Sequence, residues 1–161
     1  MLGIFKEAIA IEIYGKEYYS IFSEIIEEEN AAAIFRGLAK DEGDHREWLE
    51  KEYKKLSGKS IDIQVMDEEN REKARSVFPE SLQPLNVAQT GDALKLGIRT
   101  EVRSIELYSG AAQKTDIKST KDLFHKLVHF EEGHKRILED ALYYLEQEGT
   151  WYGYSPPTIE G

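Results

Sequence analysis

Two short patterns in the chain have the residue types and spacing of ligand pairs: Glu42-Gly43-Asp44-His45 and Glu131-Glu132-Gly133-His134. In each, a carboxylate precedes an imidazole by three residues, a spacing that puts both on one side of a helix. A single Glu-x-x-His is a weak signal, since most such pairs are solvated. The decisive matter is which face they occupy. With about 100° of rotation per residue, Ala31, Phe35, Leu38, His45, Leu49, Tyr53 and Leu56 fall within about 60° of Glu42, so the pair lies inside an apolar stripe. The same construction around Glu131 collects Phe124, Leu127, Val128, His134, Leu138, Leu142 and Leu145. Around Glu12 it collects Phe5, Ala8, Ile9, Tyr19 and Ile26, and around Glu101 it collects Leu94, Gly97, Ile98, Ile105, Tyr108 and Ala112. Four stripes each carry one carboxylate at the centre, and two of them add a histidine.

The spacing is that of a duplication. Glu12 and Glu42 are 30 residues apart, as are Glu101 and Glu131. A shift of 89 residues pairs Glu12 with Glu101, Tyr19 with Tyr108, Phe35 with Phe124, Glu42 with Glu131, His45 with His134 and Leu49 with Leu138. Apolar and polar residues of the buried face therefore repeat together, as in an internal repeat of a helical hairpin. Four carboxylates do not stay ionised together in a dry core; unpaired, each costs several kcal/mol. Either some are protonated or cations neutralise them. Two divalent ions balance four glutamates, and two neutral imidazoles complete the set. One glutamate from each of two helices plus Glu-x-x-His from each of two others is the di-iron or di-manganese carboxylate arrangement. Oxygen and imidazole donors suit iron or manganese, and zinc is compatible with them.

The elements that must carry these residues are legible as helices at about 2–29, 31–57, 91–116 and 120–148. Asn30, Thr90 and Ser119 are the expected N-caps, the last in a capping box with Asp122, and Ser57-Gly58 and Gly149 are the expected stops. Short links make each pair an antiparallel hairpin. Residues 58–89 form one long crossover, with an additional helix expected near 67–77. The reading is a single all-α domain over 1–161, a ferritin-like four-helix bundle of two hairpins joined by one crossover. The tail from Gly149, rich in Gly and Pro, is expected to fold back through Trp151, Tyr152 and Tyr154 or to meet another subunit.

Composition excludes other classes. The 161 residues contain no cysteine, which removes disulfides, thiolate metal sites and a cysteine nucleophile, and fits a reducing cytoplasm. A net charge of −10 argues against nucleic acid and against an anionic membrane surface as partners. Charged residues interrupt the N-terminal apolar segment, so no membrane span or signal peptide is expected.

On Glu12, Glu42 to His45, Glu101 and Glu131 to His134, the chain resembles the ferritin-like superfamily, and within it the rubrerythrin-like di-iron proteins, over about residues 2–148. The resemblance implies that Glu42 and Glu131 bridge two irons, with Glu12 and His45 as terminal ligands of one and Glu101 and His134 of the other. It also implies that Tyr19 and Tyr108 hydrogen-bond to ligand carboxylates. Two features depart from the family pattern. Typical members carry a further glutamate where this chain has Ser104, which makes the site resemble the six-ligand centres of bacterioferritins. The four-cysteine rubredoxin module is missing, so electrons would come from an external donor such as a rubredoxin-like protein. The implied activity is reduction of hydrogen peroxide or O2 by a homodimer. The alternatives are a ferritin-like ferroxidase for iron handling and a bundle that its metals merely stabilise.

Other residues carry plainer expectations. Gly15 and Ser104, small and at matched positions, either leave room for an oxygen species or permit close helix packing. Glu17 and Glu106 point away from the ligand face, toward salt bridges or a subunit contact. Glu27, Glu28 and Glu29 are expected to end the first helix, against its dipole, as a solvated turn, with iron guidance as the lesser alternative. Trp48, outside its stripe, is expected on a dimer surface, and His125, His129 and Glu132 are expected in solvent or in structural roles.

Overall fold

The structure, a computed structural model, describes residues 1–78 and 83–148. Five helices are present, α1 (Leu2–Ile25), α2 (Glu29–Ser57), α3 (Gln64–Arg75), α4 (Val87–Lys114) and α5 (Lys118–Glu148), with no strand among the described residues. Helix α1 packs along α2 and α4 along α5, giving the two expected hairpins, and these meet through α1 against α4 and α2 against α5. The C-terminal tail expected to fold back lies outside the described residues.

Several helix ends differ from expectation for reasons of capping. Helix α1 stops at Ile25, and Glu28 rather than Asn30 caps α2 by accepting from the backbone N–H groups of Asn30 (3.1 Å) and Ala31 (2.7 Å). The three glutamates thus do not end α1 against its dipole; Glu28 and Glu29 sit where the α2 dipole favours negative charge. Helix α4 begins a turn earlier than Thr90. Asn86 and Gln89 form a reciprocal capping box, and Thr90 is buried within the helix. Ser119 does not cap α5. It lies inside the helix and donates to Glu52 of α2 (2.8 Å), while Asp122 pairs with Lys118. At the end of α2, Gly58 adopts the left-handed conformation (φ 73°) that closes a helix, as expected.

The additional helix in the crossover, α3, begins three residues before the expected start. It lies against α1, where Ala74 and, just beyond the helix, Phe78 are buried. Arg75 pairs with Glu17 of α1 (2.9 Å), and Arg46 of α2 pairs with Asp67 (3.1 Å). Glu17 therefore finds the salt bridge its outward direction suggested.

The interior divides into two apolar clusters. One contains Tyr18, Phe22, Phe35, Leu38, Leu94, Leu138 and Leu145; the other contains Phe5, Ile9, Leu49, Tyr108, Phe124 and Leu127. On α2, α4 and α5 the central glutamate falls between the residues given to one cluster and those given to the other, and on α1 Glu12 lies beside Ile13, the last residue of its cluster before the change at Tyr18. The apolar stripes thus position a single polar layer at mid-height and seal it at both ends.

Candidate metal centre

Glu12, Glu42, His45, Glu101, Glu131 and His134 converge in that layer, each at most 3% exposed. All six residues singled out by spacing are brought together. Two groups of donor atoms, each within 4.8 Å of one another, divide them: Glu12, Glu42, His45 and Glu131, and Glu42, Glu101, Glu131 and His134. Glu42 and Glu131 belong to both groups, whereas each of the others belongs to one. Glu131 reaches the two imidazoles with separate oxygens, Oε1 lying 3.0 Å from Nδ1 of His45 and Oε2 lying 3.0 Å from Nδ1 of His134. Glu42 approaches Nδ1 of His134 at 2.9 Å, and Glu12 approaches Nδ1 of His45 at 3.4 Å. The rings stack with centroids 5.6 Å apart and planes 18° apart.

Protons alone leave several polar atoms of this cluster unmet. Burial, reinforced by neighbouring carboxylates, pushes Glu42 and Glu101 well above the usual carboxyl range and raises Glu12. Burial would likewise raise Glu131, but the adjoining His134 and His45 outweigh that and hold it below the usual range. Burial alone would lower both histidines; the carboxylates around them instead raise His45 to about 9 and His134 further still. Glu12 Oε2, Glu42 Oε1, Glu131 Oε2, His134 Nδ1 and His45 Nε2 are buried without a well-formed hydrogen bond. Such atoms are rare in a native interior. Four of these five point into the shared cluster. The donor set therefore fits two divalent cations, with two carboxylates placed to be shared between them.

Further side chains surround the six. The Tyr19 hydroxyl donates to Glu101 Oε1, and the Tyr108 hydroxyl donates to Glu12 Oε1. Gly15 is occupied by packing. A Cβ there would lie 3.2 Å from the Glu42 carboxyl carbon, so the Glu42 side chain rests on the glycine. Ser104 is buried and bonds back to Thr100 of its own helix (3.1 Å). Trp48 is half-buried and belongs to the surroundings of the site. Its ring lies 5.2 Å from that of His45 and 5.6 Å from that of Phe130, with Lys126 Nζ 3.7 Å above it. His125, His129 and Glu132 are exposed.

Sequence reasoning missed Asp41. Its Oδ2 lies 3.1 Å from His134 Nε2, the imidazole nitrogen facing away from the cluster. That bond holds the Asp41 carboxyl below its ordinary range. The missed signal is positional: Asp41 immediately precedes a buried glutamate, and that edge of α2 faces α5.

Two antiparallel hairpins joined by a long crossover, with a buried carboxylate–imidazole layer at the centre, define a ferritin-like helical bundle. Residues 4–142 match the rubrerythrin family model, and the chain belongs to that family. The fold is shared with a hypothetical protein from Pyrococcus furiosus, with a TM-score of 0.71 and 23% identity over 89% of this chain and 88% of that one. No curated protein matches the sequence.

Proposed function

We propose that the protein is a di-iron oxidoreductase that reduces hydrogen peroxide or O2 with electrons from an external donor protein. The observation that carries the proposal is the membership of Glu42 and Glu131 in both donor groups. Shared carboxylates hold two ions close enough to act on one small substrate, which a pair of separate sites would not do. The bound irons would supply the electrons and the Lewis acidity. Glu12 and His45 would hold one iron, and Glu101 and His134 the other. Tyr19 and Tyr108 donate to Oε1 of Glu101 and of Glu12, so these carboxylates keep one orientation. The two apolar clusters exclude bulk water above and below the layer.

The test has two stages. Protein reloaded anaerobically with Fe(II) is expected to hold close to two irons per chain by elemental analysis. Stopped-flow oxidation of that protein is expected to be faster with peroxide than with O2. Faster reaction with O2 would replace this reading by a ferritin-like ferroxidase. Fewer than one iron per chain in a folded protein would end the catalytic reading altogether.

A further inference from the structure

We infer that the two metal positions are unequal, and that Asp41 makes the Glu101–His134 position the stronger. The inference rests on the di-metal reading above and concerns how this chain departs from its own internal symmetry. Both histidines turn Nδ1 toward the glutamates, at 3.0 Å from Glu131 in each case, so Nδ1 is the ligating nitrogen and Nε2 the outer one. At His134 the outer nitrogen meets Asp41 Oδ2 at 3.1 Å. At His45 the outer nitrogen is buried and has no hydrogen-bond partner. The 89-residue repeat explains the difference. The position equivalent to Asp41 is Phe130, whose ring lies 5.0 Å from that of His45, with Trp48 close by. One half of the repeat therefore offers a carboxylate to the partner hairpin's histidine, and the other half offers a hydrocarbon ring.

The consequence follows from imidazole chemistry. A carboxylate accepting Nε2–H fixes the tautomer that leaves Nδ1 free, holds the ring plane, and makes Nδ1 a better donor to a cation. A neutral His45 ligating through Nδ1 must instead bury an Nε2–H with nothing to accept it, an unfavourable arrangement for a polar group. Asp41 is thus a positioning residue for one ion and has no counterpart for the other. Removing such a partner typically lowers metal affinity by about 10–100-fold. The side chain of Asp41 is 37% exposed, so it can be replaced without opening the core.

Because Glu42 and Glu131 are shared, the second ion binds less readily than the first even at equivalent positions, and stepwise affinities in the wild type do not decide the matter. The test isolates each position. His45→Ala and His134→Ala are titrated with Co(II), following visible absorption and heat, each with and without Asp41→Ala. The expected result is that His45→Ala, which retains the Asp41-supported position, binds its first ion about 10–100-fold more tightly than His134→Ala. Asp41→Ala, which removes the acceptor, should erase that gap by weakening His45→Ala alone. Phe130→Asp, which supplies the missing acceptor, should tighten binding to His134→Ala. Equal first affinities in the two histidine variants, or an equal loss in both on Asp41→Ala, would overturn the inference while leaving a two-ion site in the wild type. A wild type that takes up less than one Co(II) would remove the di-metal reading and this inference with it.

Discussion

The Tyr19 hydroxyl on α1 donates to the Glu101 carboxylate on α4, 82 residues away in the chain. Tyr108 on α4 returns the same bond to Glu12 on α1. Each hairpin's tyrosine therefore serves the other hairpin's glutamate, and the two bonds tie α1 to α4 at the level of the site. Burial pushes both phenols well above their ordinary range, so each remains a proton donor across the working pH range. Tyr19→Phe keeps the ring and removes the donor, leaving a buried carboxyl oxygen unmet. Urea denaturation of the metal-free variant should show a loss of about 1–3 kcal/mol, and Tyr108→Phe should lose a similar amount. A loss confined to one of the two would mean that the bonds are not equivalent.

Shared and terminal carboxylates should separate by stoichiometry. Glu42 and Glu131 belong to both donor groups, while Glu12 and Glu101 belong to one each. Glu131→Ala or Glu42→Ala should abolish binding of both ions, and Glu12→Ala should leave about one ion per chain, since only one group loses a ligand. Elemental analysis of the reloaded variants checks this. Two ions per chain in Glu131→Ala would refute the bridging assignment.

The six-residue cluster was legible because its signal is periodic and duplicated. Glutamates at the centre of four apolar stripes, repeated at an offset of 89, leave little freedom for where they can point. Tyr19 and Tyr108 were legible for the same reason, as they lie about 20° from the ligand direction. What the sequence hid depends on contacts between helices or on local competition among caps. Asp41 and Trp48 lie at the edges of the α2 stripe, where periodicity gives no partner; only the approach of α5 places His134 beside one and Phe130 beside the other. The helix starts were misread where two capping residues stood within a turn or so of each other. Glu28 prevailed over Asn30, and Asn86 over Thr90.

That last competition has a measurable consequence. Asn86 accepts from the Gln89 N–H at 2.8 Å, and Gln89 Oε1 accepts from the Asn86 N–H at 3.1 Å. Asn86→Ala should therefore lower stability by about 1 kcal/mol in thermal or urea unfolding. Asn86→Gly should cost only a few tenths, because glycine tolerates the cap backbone. Equal losses from the two would show that the side-chain cap is not what starts α4.

Gly15 offers a test of how closely the shared carboxylate is held. An added Cβ would meet Glu42 at 3.2 Å to its carboxyl carbon, 3.3 Å to the preceding carbon and 3.4 Å to Oε2. Gly15→Ala also favours the helix by about 1 kcal/mol. Metal-free stability should thus change little, while the displaced Glu42 carboxylate should weaken uptake of both ions. Unaltered two-ion binding in Gly15→Ala would show that Glu42 accommodates the shift without losing its place.

The protonation of the cluster predicts opposite pH responses for metal-free and metal-loaded protein. His45 is raised from 6.5 to about 9 when folded, because the adjoining Glu12 and Glu131 carboxylates outweigh burial. A raised value contributes stability that is complete below about pH 6.5 and lost as pH climbs through about 9. His134, Glu42 and Glu101 are raised too and act with the same sign. Glu131 and Asp41 are lowered, so their contribution is present above the ordinary carboxyl range and fades as pH falls through it. The metal-free Tm should accordingly decline between pH 6.5 and 9. Ligation requires neutral imidazoles and ionised carboxyls, so binding must release protons, about two of them from the histidines alone at neutral pH. Calorimetry in buffers of differing ionisation enthalpy should detect that release, and metal affinity should rise over the window in which the metal-free Tm falls. Binding without proton release would mean that the histidines are already neutral, and the account of how carboxylates and imidazoles share charge in the layer would be wrong.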